Sequence, residues 1–474
     1  MVRLRRRQFL ALSAGGLLGS TLSACCIAPR GPHVSKRRPP NIVFLYTDDQ
    51  GQWAVGAYGN RDIHTPNMDR LAREGMRFTR AFVSTPVCSP ARSSVMTSLY
   101  SHQTGVHDWL NPKTEKEEGL SPDFTTLAQL LKEAGYVNAL VGKWHLGIAE
   151  RYWPTRRGFD HFFGFLGGGN SPKDPTLWIN GKEQKVEGFL TDILTDDAIA
   201  FLRRQRSQPR PFTLWFQTRA PHMPYLPVPD EDMAHYEGRD IEVPEVERLD
   251  PEVLKRKTRE YYASISSVDR NLGRVLDELC QLGLEENTVV IFTSDNGYNL
   301  GRHGLETKGN AVTLAKPRRR RPNMFDTSVL VPLIVRWPGV VEPSTVCDEM
   351  VAEIDFLPTF LEVAGTRPPR RLHIEGRSFV RLLRGQSPRW RDAIFGSYDM
   401  HHGATANMRM IRTRDWKLVR HSEPRGRDEL YDLRNDPGEL RDLYGDPSAR
   451  DIQKALERRL TAWQKRTGDE VVVR

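Results

Sequence analysis

Two pairs of oxygen-bearing residues, Asp48-Asp49 and Asp295-Asn296, each follow directly on an apolar run. Three carboxylates and an amide oxygen are the ligand set of a hard divalent cation, calcium or magnesium, and a poor set for zinc. An Asp-Asp pair is also ordinary material for a turn or a helix cap. Gathered in a buried cleft, however, these carboxylates are expected to need a cation to sit together. A third segment, Cys88-Ser89-Pro90-Ala91-Arg92-Ser93, lies between a strand-like stretch ending near Ser84 and a helix expected from about Pro90. A cysteine at a helix N-terminus with an arginine one turn on is expected to have a lowered pKa and so to be a thiolate nucleophile; the plainer reading is a small buried residue. Lys143 and His145, just past a strand, and His222, between two prolines, can clamp an anion or carry protons, or can be surface and loop residues.

These side chains have to be held by something. Residues 41–47 form a continuous apolar run of strand length, the pattern of a strand buried on both faces of a parallel sheet. Thr65-Pro66 opens a helix through Gly75, with proline at its first position. A helix over 125–135 is followed by a strand over 136–141; further strands are expected over 212–217, 288–293 and 332–337, with a long helix over 252–282. The alternation predicts an α/β fold, a large mixed, mostly parallel sheet sandwiched by helices. In such sheets ligands sit beyond the carboxyl ends of the strands, where Asp48-Asp49 and Ser294-Asp295-Asn296-Gly297 fall. After a helix at 355–364, Gly365 and the Pro/Arg-rich 366–371 mark a boundary. The expected division is a catalytic domain over 41–365 and a smaller C-terminal α+β subdomain over 366–474. The latter has short strands near 393–397, 408–411, 417–420 and 429–431 and a helix over 449–466.

Cys88-x-Pro90-x-Arg92 followed by small residues resembles the signature of type I sulfatases, of the alkaline phosphatase superfamily, in which the cysteine is oxidised to formylglycine. Gly142-Lys143-Trp144-His145-Leu146-Gly147 resembles the family's second signature, and Ala220-Pro221-His222-Met223-Pro224 its catalytic-histidine segment. Asp295-Asn296-Gly297 resembles its late metal-binding segment. Lys308-Gly309-Asn310, followed by residues 331–339, resembles the stretch that supplies a sulfate-binding lysine. It departs in lacking an aromatic residue at Leu305-Glu306-Thr307. The five motifs come in the family's order, and the resemblance runs from about Asn41 to the tail's Glu429-Leu430-Tyr431-Asp432-Leu433.

The resemblance implies an alkaline-phosphatase-like fold and a sulfuric ester hydrolase acting on a sulfated small molecule or saccharide, after processing by a sulfatase-maturing enzyme. It implies calcium, or magnesium, held by Asp48, Asp49, Asp295, Asn296 and the modified Cys88. A hydrated aldehyde at position 88 would use one hydroxyl to attack sulfur and the other to expel sulfate. In the family's roles Arg92 orients that diol, Lys143 and Lys308 clamp the sulfate oxygens, His145 is the base and His222 protonates the leaving oxygen. His107 and His303 are candidates for the substrate pocket. The run Lys316-Pro317-Arg318-Arg319-Arg320-Arg321-Pro322 is either a solvated loop or a contact for a polyanionic substrate.

The net charge of +9 is misleading as a guide to partners. Residues 1–40 contain eight Lys/Arg and no Asp/Glu, which leaves 61 basic against 60 acidic residues and no electrostatic footprint for nucleic acid. Arg6-Arg7-x-Phe9-Leu10 resembles a twin-arginine export signal, and Leu22-Ser23-Ala24-Cys25 a bacterial lipobox in which Cys25 becomes lipidated. The expectation is an export signal over 1–24 read by the export machinery and a tether over 25–40. The product is then a periplasmic or membrane-anchored bacterial lipoprotein. With Cys25, Cys26 and Cys88 so placed, Cys280 and Cys347 make no disulfide framework. Two other functions use the same residues. One is a phosphodiester or phosphonate monoester hydrolase of the same fold; the other is an inactive, calcium-ordered glycan-binding lipoprotein. The combination of Cys88, Arg92, Lys143, His145 and His222 argues against the second, since a binder requires none of those chemical roles.

Overall fold

The structure, a computed structural model, describes residues 38–423 and 425–471. The export signal, Cys25 and most of the tether lie outside the described residues. The described residues from Pro39 onward form one unit. Its strands are β1 (Asn41–Asp48), β2 (Met76–Phe82), β3 (Val137–Lys143), β4 (His161–Phe165), β5 (Thr176–Ile179), β6 (Lys182–Lys185), β7 (Phe212–Pro221), β8 (Thr288–Ser294), β9 (Leu305–Glu306), β10 (Val312–Thr313), β11 (Leu330–Arg336), β12 (Thr345–Cys347) and β13 (Val351–Ala352). A separate antiparallel sheet follows: β14 (Ala393–Met400), β15 (Ala406–Thr413), β16 (Trp416–Glu423) and β17 (Glu429–Asp432).

The main sheet runs β12-β2-β11-β8-β1-β7-β3-β4-β5-β6, with β13 also on β2. Its centre is parallel: β1 lies between β7 and β8, and β3 between β7 and β4. β11 runs antiparallel to both its neighbours, which makes the sheet mixed, as expected. The helices used below are α1 (Pro66–Glu74), α2 (Cys88–Thr97), α3 (Leu127–Glu133), α4 (Leu190–Gln205), α5 (Pro251–Gln281), α6 (Phe356–Val363) and α7 (Arg450–Thr467).

β1 is buried along its whole length, and its side chains alternate between two cores. Ile42, Phe44 and Tyr46 enter the core that also holds Phe356 and Phe360 of α6. Val43 and Leu45 enter the opposite one, against Leu194 and Phe201 of α4 and Tyr261, Ile265 and Leu272 of α5. The first core also contains Tyr398, Met410, Leu418 and Trp463 of the C-terminal part. The antiparallel sheet and α7 therefore share one apolar interior with the main sheet, and the Pro/Arg-rich 366–371 does not separate two cores.

Helix α2 begins two residues earlier than expected, at Cys88 itself. The extended Val87 precedes it (φ −157°, ψ 147°), and Pro90 falls in the first turn. The first N–H groups of a helix have no partner inside it, so proline is accommodated there.

One glycine fixes how closely two of these strands approach. Gly142, at φ 119°, lies where a Cβ would come 1.8 Å from the carbonyl oxygen of Gln217 on β7. Gly135, in the turn before β3, also has positive φ (92°) but faces open space. Gly142→Ala is predicted to lose on the order of 2–4 kcal/mol from strain and overpacking together. Gly135→Ala is predicted to lose roughly 1 kcal/mol, from backbone strain alone. Urea unfolding of the two variants checks this; equal losses would contradict it.

Candidate active site

β1, β3, β7 and β8 are parallel and end on one edge of the sheet. Tyr46 is in register with Gln217, Gln217 with Gly142, and Thr47 with Ser294. The residues that follow, Asp48-Asp49, Lys143 to His145, His222 and Asp295-Asn296, therefore converge on one place. The N-terminus of α2 and the loop bearing Lys308 complete it. All of these except His222, which is partly buried, are almost wholly withdrawn from solvent.

Cys88 Sγ lies 3.4 Å from Asp48 Oδ1 and 2.8 Å from Lys308 Nζ. Lys308 also donates to Asp49 Oδ1, and Lys143 Nζ donates to Asp48 Oδ2 at 2.6 Å. Arg92 sends Nε and Nη2 to Asp295 Oδ2 (3.0 and 2.8 Å). Its Nη1 reaches Gln217 Oε1 (2.6 Å) and the Lys143 carbonyl (3.1 Å). Asn296 Nδ2 donates to Asp49 Oδ1 at 2.7 Å. His222 Nε2 is 3.9 Å from Asp49 Oδ2, and its Nδ1 is 2.7 Å from the Met223 carbonyl. His145 Nε2 is 3.0 Å from the Leu110 carbonyl, while its Nδ1 has no partner.

Three carboxylates thus meet three protein cations, Arg92, Lys143 and Lys308. This corrects the expectation that Asp48, Asp49 and Asp295 need a metal merely to coexist: ion pairs already balance them. The residues nevertheless fit a hard cation. One oxygen each of Asp48, Asp49 and Asp295, with Cys88 Sγ, lie within 4.8 Å of one another. Asn296 Oδ1 is buried beside them with no hydrogen-bond partner. An orphaned amide oxygen next to clustered carboxylates suits an oxygen-seeking cation.

The electrostatics correct a second expectation. Burial, reinforced by the Asp48 charge, pushes the Cys88 thiol up to about 12, against the pull of Lys143 and Lys308. The lowered pKa expected from Arg92 does not arise, because that guanidinium is spent on Asp295 and Gln217. Burial opposes ionisation of Asp48 too, but Lys143, His222, Lys308 and Arg92 overcome it and hold its carboxyl well below the usual range. Asp295, pushed up by burial and by Asp48, sits at about 6 despite Arg92. Burial and Lys143 hold His145 well below the ordinary histidine value, so it is neutral at pH 7.

Sequence reasoning missed the supporting residues. Gln217 was legible in principle, as a polar residue in the otherwise apolar stretch of β7. Asp108 carried no such signal. Its buried carboxylate accepts from Tyr398 Oη (2.9 Å) and from the backbone N–H groups of Trp109 (2.8 Å), His401 and His402 (3.0 Å each). It thereby ties the C-terminal sheet to the segment whose Leu110 carbonyl faces His145. The Leu110 N–H in turn donates to Ser89 Oγ at 3.1 Å, next to Cys88.

The structure does not bring the two pocket histidines to this centre. His303 lies flat on Phe325 (3.7 Å between ring centroids) and is acted on by Lys417, Glu429, Arg321 and Asp436. His107 pairs with Asp399 at 3.6 Å. The basic run is partly consumed within the fold: Arg318 pairs with Glu306 and Arg321 with Glu429 (2.7 Å), while Arg319 is exposed.

A thiol at about 12 that is 2% exposed is a poor nucleophile in its own right. In protein that retains Cys88 as cysteine, iodoacetamide at pH 8 is predicted to label it at least tenfold more slowly than a free cysteine peptide. Labelling as fast as the peptide would contradict the geometry.

Known proteins resemble this chain in sequence and fold. The Sulfatase family profile matches residues 40–366, and that of the N-sulphoglucosamine sulphohydrolase C-terminal region matches 319–466. The chain is similar to an N-acetylglucosamine-6-O-sulfatase of Bacteroides thetaiotaomicron, 29% identical over 96% of this chain and 90% of that one. A solved structure of a protein in complex with its substrate D-glucosamine-2-N,6-O-disulfate superposes with a TM-score of 0.79 at 27% identity, covering 91% of this chain and 99% of that one. The phosphonate monoester hydrolase of Agrobacterium radiobacter (TM-score 0.72, 22% identity, 90% and 96% covered) shares the fold. The chain belongs to the sulfatase family of the alkaline phosphatase superfamily and is a sulfuric ester hydrolase.

Proposed function

We propose that this sulfatase removes sulfate from a sulfated carbohydrate, with a formylglycine made from Cys88 and a calcium ion held by Asp48, Asp49, Asp295 and Asn296. The observation that carries the proposal is the surroundings of position 88. Its Sγ sits at a helix N-terminus between Asp48 and Lys308, beside the unpartnered Asn296 Oδ1. The saccharide class is supported by the relative named for N-acetylglucosamine 6-O-sulfate and by the neighbour bound to a disulfated glucosamine.

A hydrated aldehyde at position 88 supplies a hydroxyl to attack sulfur and a second whose deprotonation releases sulfate. A divalent cation supplies surplus positive charge to a centre that is already balanced, as an anionic ester and its transition state require. The chain's own residues do the rest. Arg92, fixed on Asp295 and Gln217, is the residue that would orient the diol at position 88. Lys143 and Lys308 are the cations placed to take sulfate oxygens. His145, neutral at pH 7 with Nδ1 free, can accept the proton of the release step. His222 is the proton donor to the leaving oxygen.

Release of sulfate from a panel of defined sulfated sugars tests the activity. Turnover is expected on at least one sugar, abolished by exhaustive chelation and restored by calcium. Turnover that survives chelation unchanged contradicts the metal assignment, and Asp49→Ala is expected to bind little calcium.

The pH dependence follows from His222. Burial lowers its pKa from the ordinary value, with Asp48 and Asp49 pulling part of the way back. A donor must carry its proton, so donation is present below that lowered pKa and lost as pH rises through it. Turnover of a sulfated sugar, whose alkoxide leaves poorly, is predicted to fall toward alkaline pH earlier than turnover of an activated aryl sulfate. His222→Ala is predicted to cost the sugar substrate about 10²–10⁴-fold and the activated one far less. Lys308→Ala is predicted to depress both. Equal losses for His222→Ala on the two substrates would move the donor role to Lys308.

We also infer export by the twin-arginine route and anchoring through a lipid at Cys25, on the strength of residues 5–25 alone. Cys25→Ala is expected to shift the enzyme from the membrane to the soluble fraction. Unchanged fractionation would refute the anchor and leave the sulfatase chemistry untouched.

A further inference from the structure

Arg219 lies near the end of β7, three residues before His222, and is 3% exposed. Its Nη2 donates to the Pro224 carbonyl at 2.9 Å, its Nε has no partner, and among the described residues no carboxylate bonds it. An isolated charge in a protein interior is strongly unfavourable unless something compensates it. Burial pulls this guanidinium down to about 10; the nearest acids acting on it, Asp48 and Asp49, are already paired with Lys143 and Lys308.

Arg219 lines a small cavity of ≈ 20 Å³ together with Thr191 at the start of α4 and Ser264 and Ser267 of α5. The two serines stand three residues apart and so share a face of the helix. Among the described residues, none of the three hydroxyls makes a side-chain hydrogen bond within the protein. The remaining wall is apolar or aromatic, including Pro172, Phe189 and Val228, and contains no carboxylate.

A cation and three uncommitted hydroxyl donors lining a narrow recess without an acid make an anion site. Its size admits one particle comparable to a water molecule, too little for sulfate, phosphate or a carboxylate. A water molecule would satisfy the hydroxyls but leave the guanidinium charge uncompensated. We propose that this cavity binds a single halide ion, chloride under physiological conditions, held by Arg219 and the hydroxyls of Ser264 and Ser267. Because Arg219 also grips the Pro224 carbonyl, the ion steadies both ends of the segment that carries His222. The site stands whether or not His222 is the proton donor.

Crystals of the enzyme grown in sodium bromide test this directly. An anomalous peak is expected in the cavity, within hydrogen-bonding distance of Arg219 and the two serines. In solution, chloride is expected to raise the melting temperature relative to gluconate at the same ionic strength. That increment should shrink in Ser264→Ala/Ser267→Ala and vanish in Arg219→Met. The serine variant and the wild-type crystals keep the question decidable if Arg219→Met does not fold. A cavity holding only water at saturating bromide, or identical wild-type melting in chloride and gluconate, would overturn the proposal.

Discussion

Three carboxylates crowded at the ends of two neighbouring strands are the constraint on which this molecule is built. Left alone, Asp48, Asp49 and Asp295 would repel one another in a medium that screens them poorly. The fold answers with Lys143 from β3, Arg92 from α2 and Lys308 from a loop, each within ion-pair distance of a carboxylate. The acids nevertheless differ: Lys143 and the other cations hold Asp48 well below the usual range against its burial, while burial and the Asp48 charge push Asp295 up to about 6 despite Arg92. The same cations include the two lysines that the proposed function assigns to the sulfate oxygens.

The scaffold serves that constraint. Strands buried on both faces allow no slack in register, because each side chain of β1 is committed to one of two cores. The charged residues emerge where that commitment ends. The C-terminal sheet shares one of the cores and reaches the centre through Asp108, whose carboxylate holds β14 and the backbone of His401 and His402 to the segment facing His145. A part of the chain remote in sequence thereby helps to set the position of His145, just beyond the end of β3.

Much of this was legible in the residues. Apolar runs ending in Asp48-Asp49 and Ser294-Asp295 revealed both strands and the edge on which they end, because a buried strand must be apolar and its exit need not be. The motif order placed Cys88, Arg92, Lys143, His145, His222 and Lys308 together, and their side chains do converge. Pairwise charge compensation was not legible, since it depends on which cation faces which acid in space. That omission misled the reading of Cys88, where burial and Asp48 outweigh the nearby lysines. The setting of His303 was not legible either: its ring stacks on Phe325, a partner that the sequence does not announce. Asp108 and Arg219 left no periodic or motif signal, because each acts through partners far along the chain.

The central claim is that position 88 works as an aldehyde and not as a thiol. Peptide mass spectrometry of the Cys88 segment, on preparations of graded specific activity, tests it most directly. The account predicts that the formylglycine fraction rises in proportion to turnover and that protein carrying only unmodified Cys88 is inactive. Fully active protein in which Cys88 is entirely an unmodified thiol would contradict it.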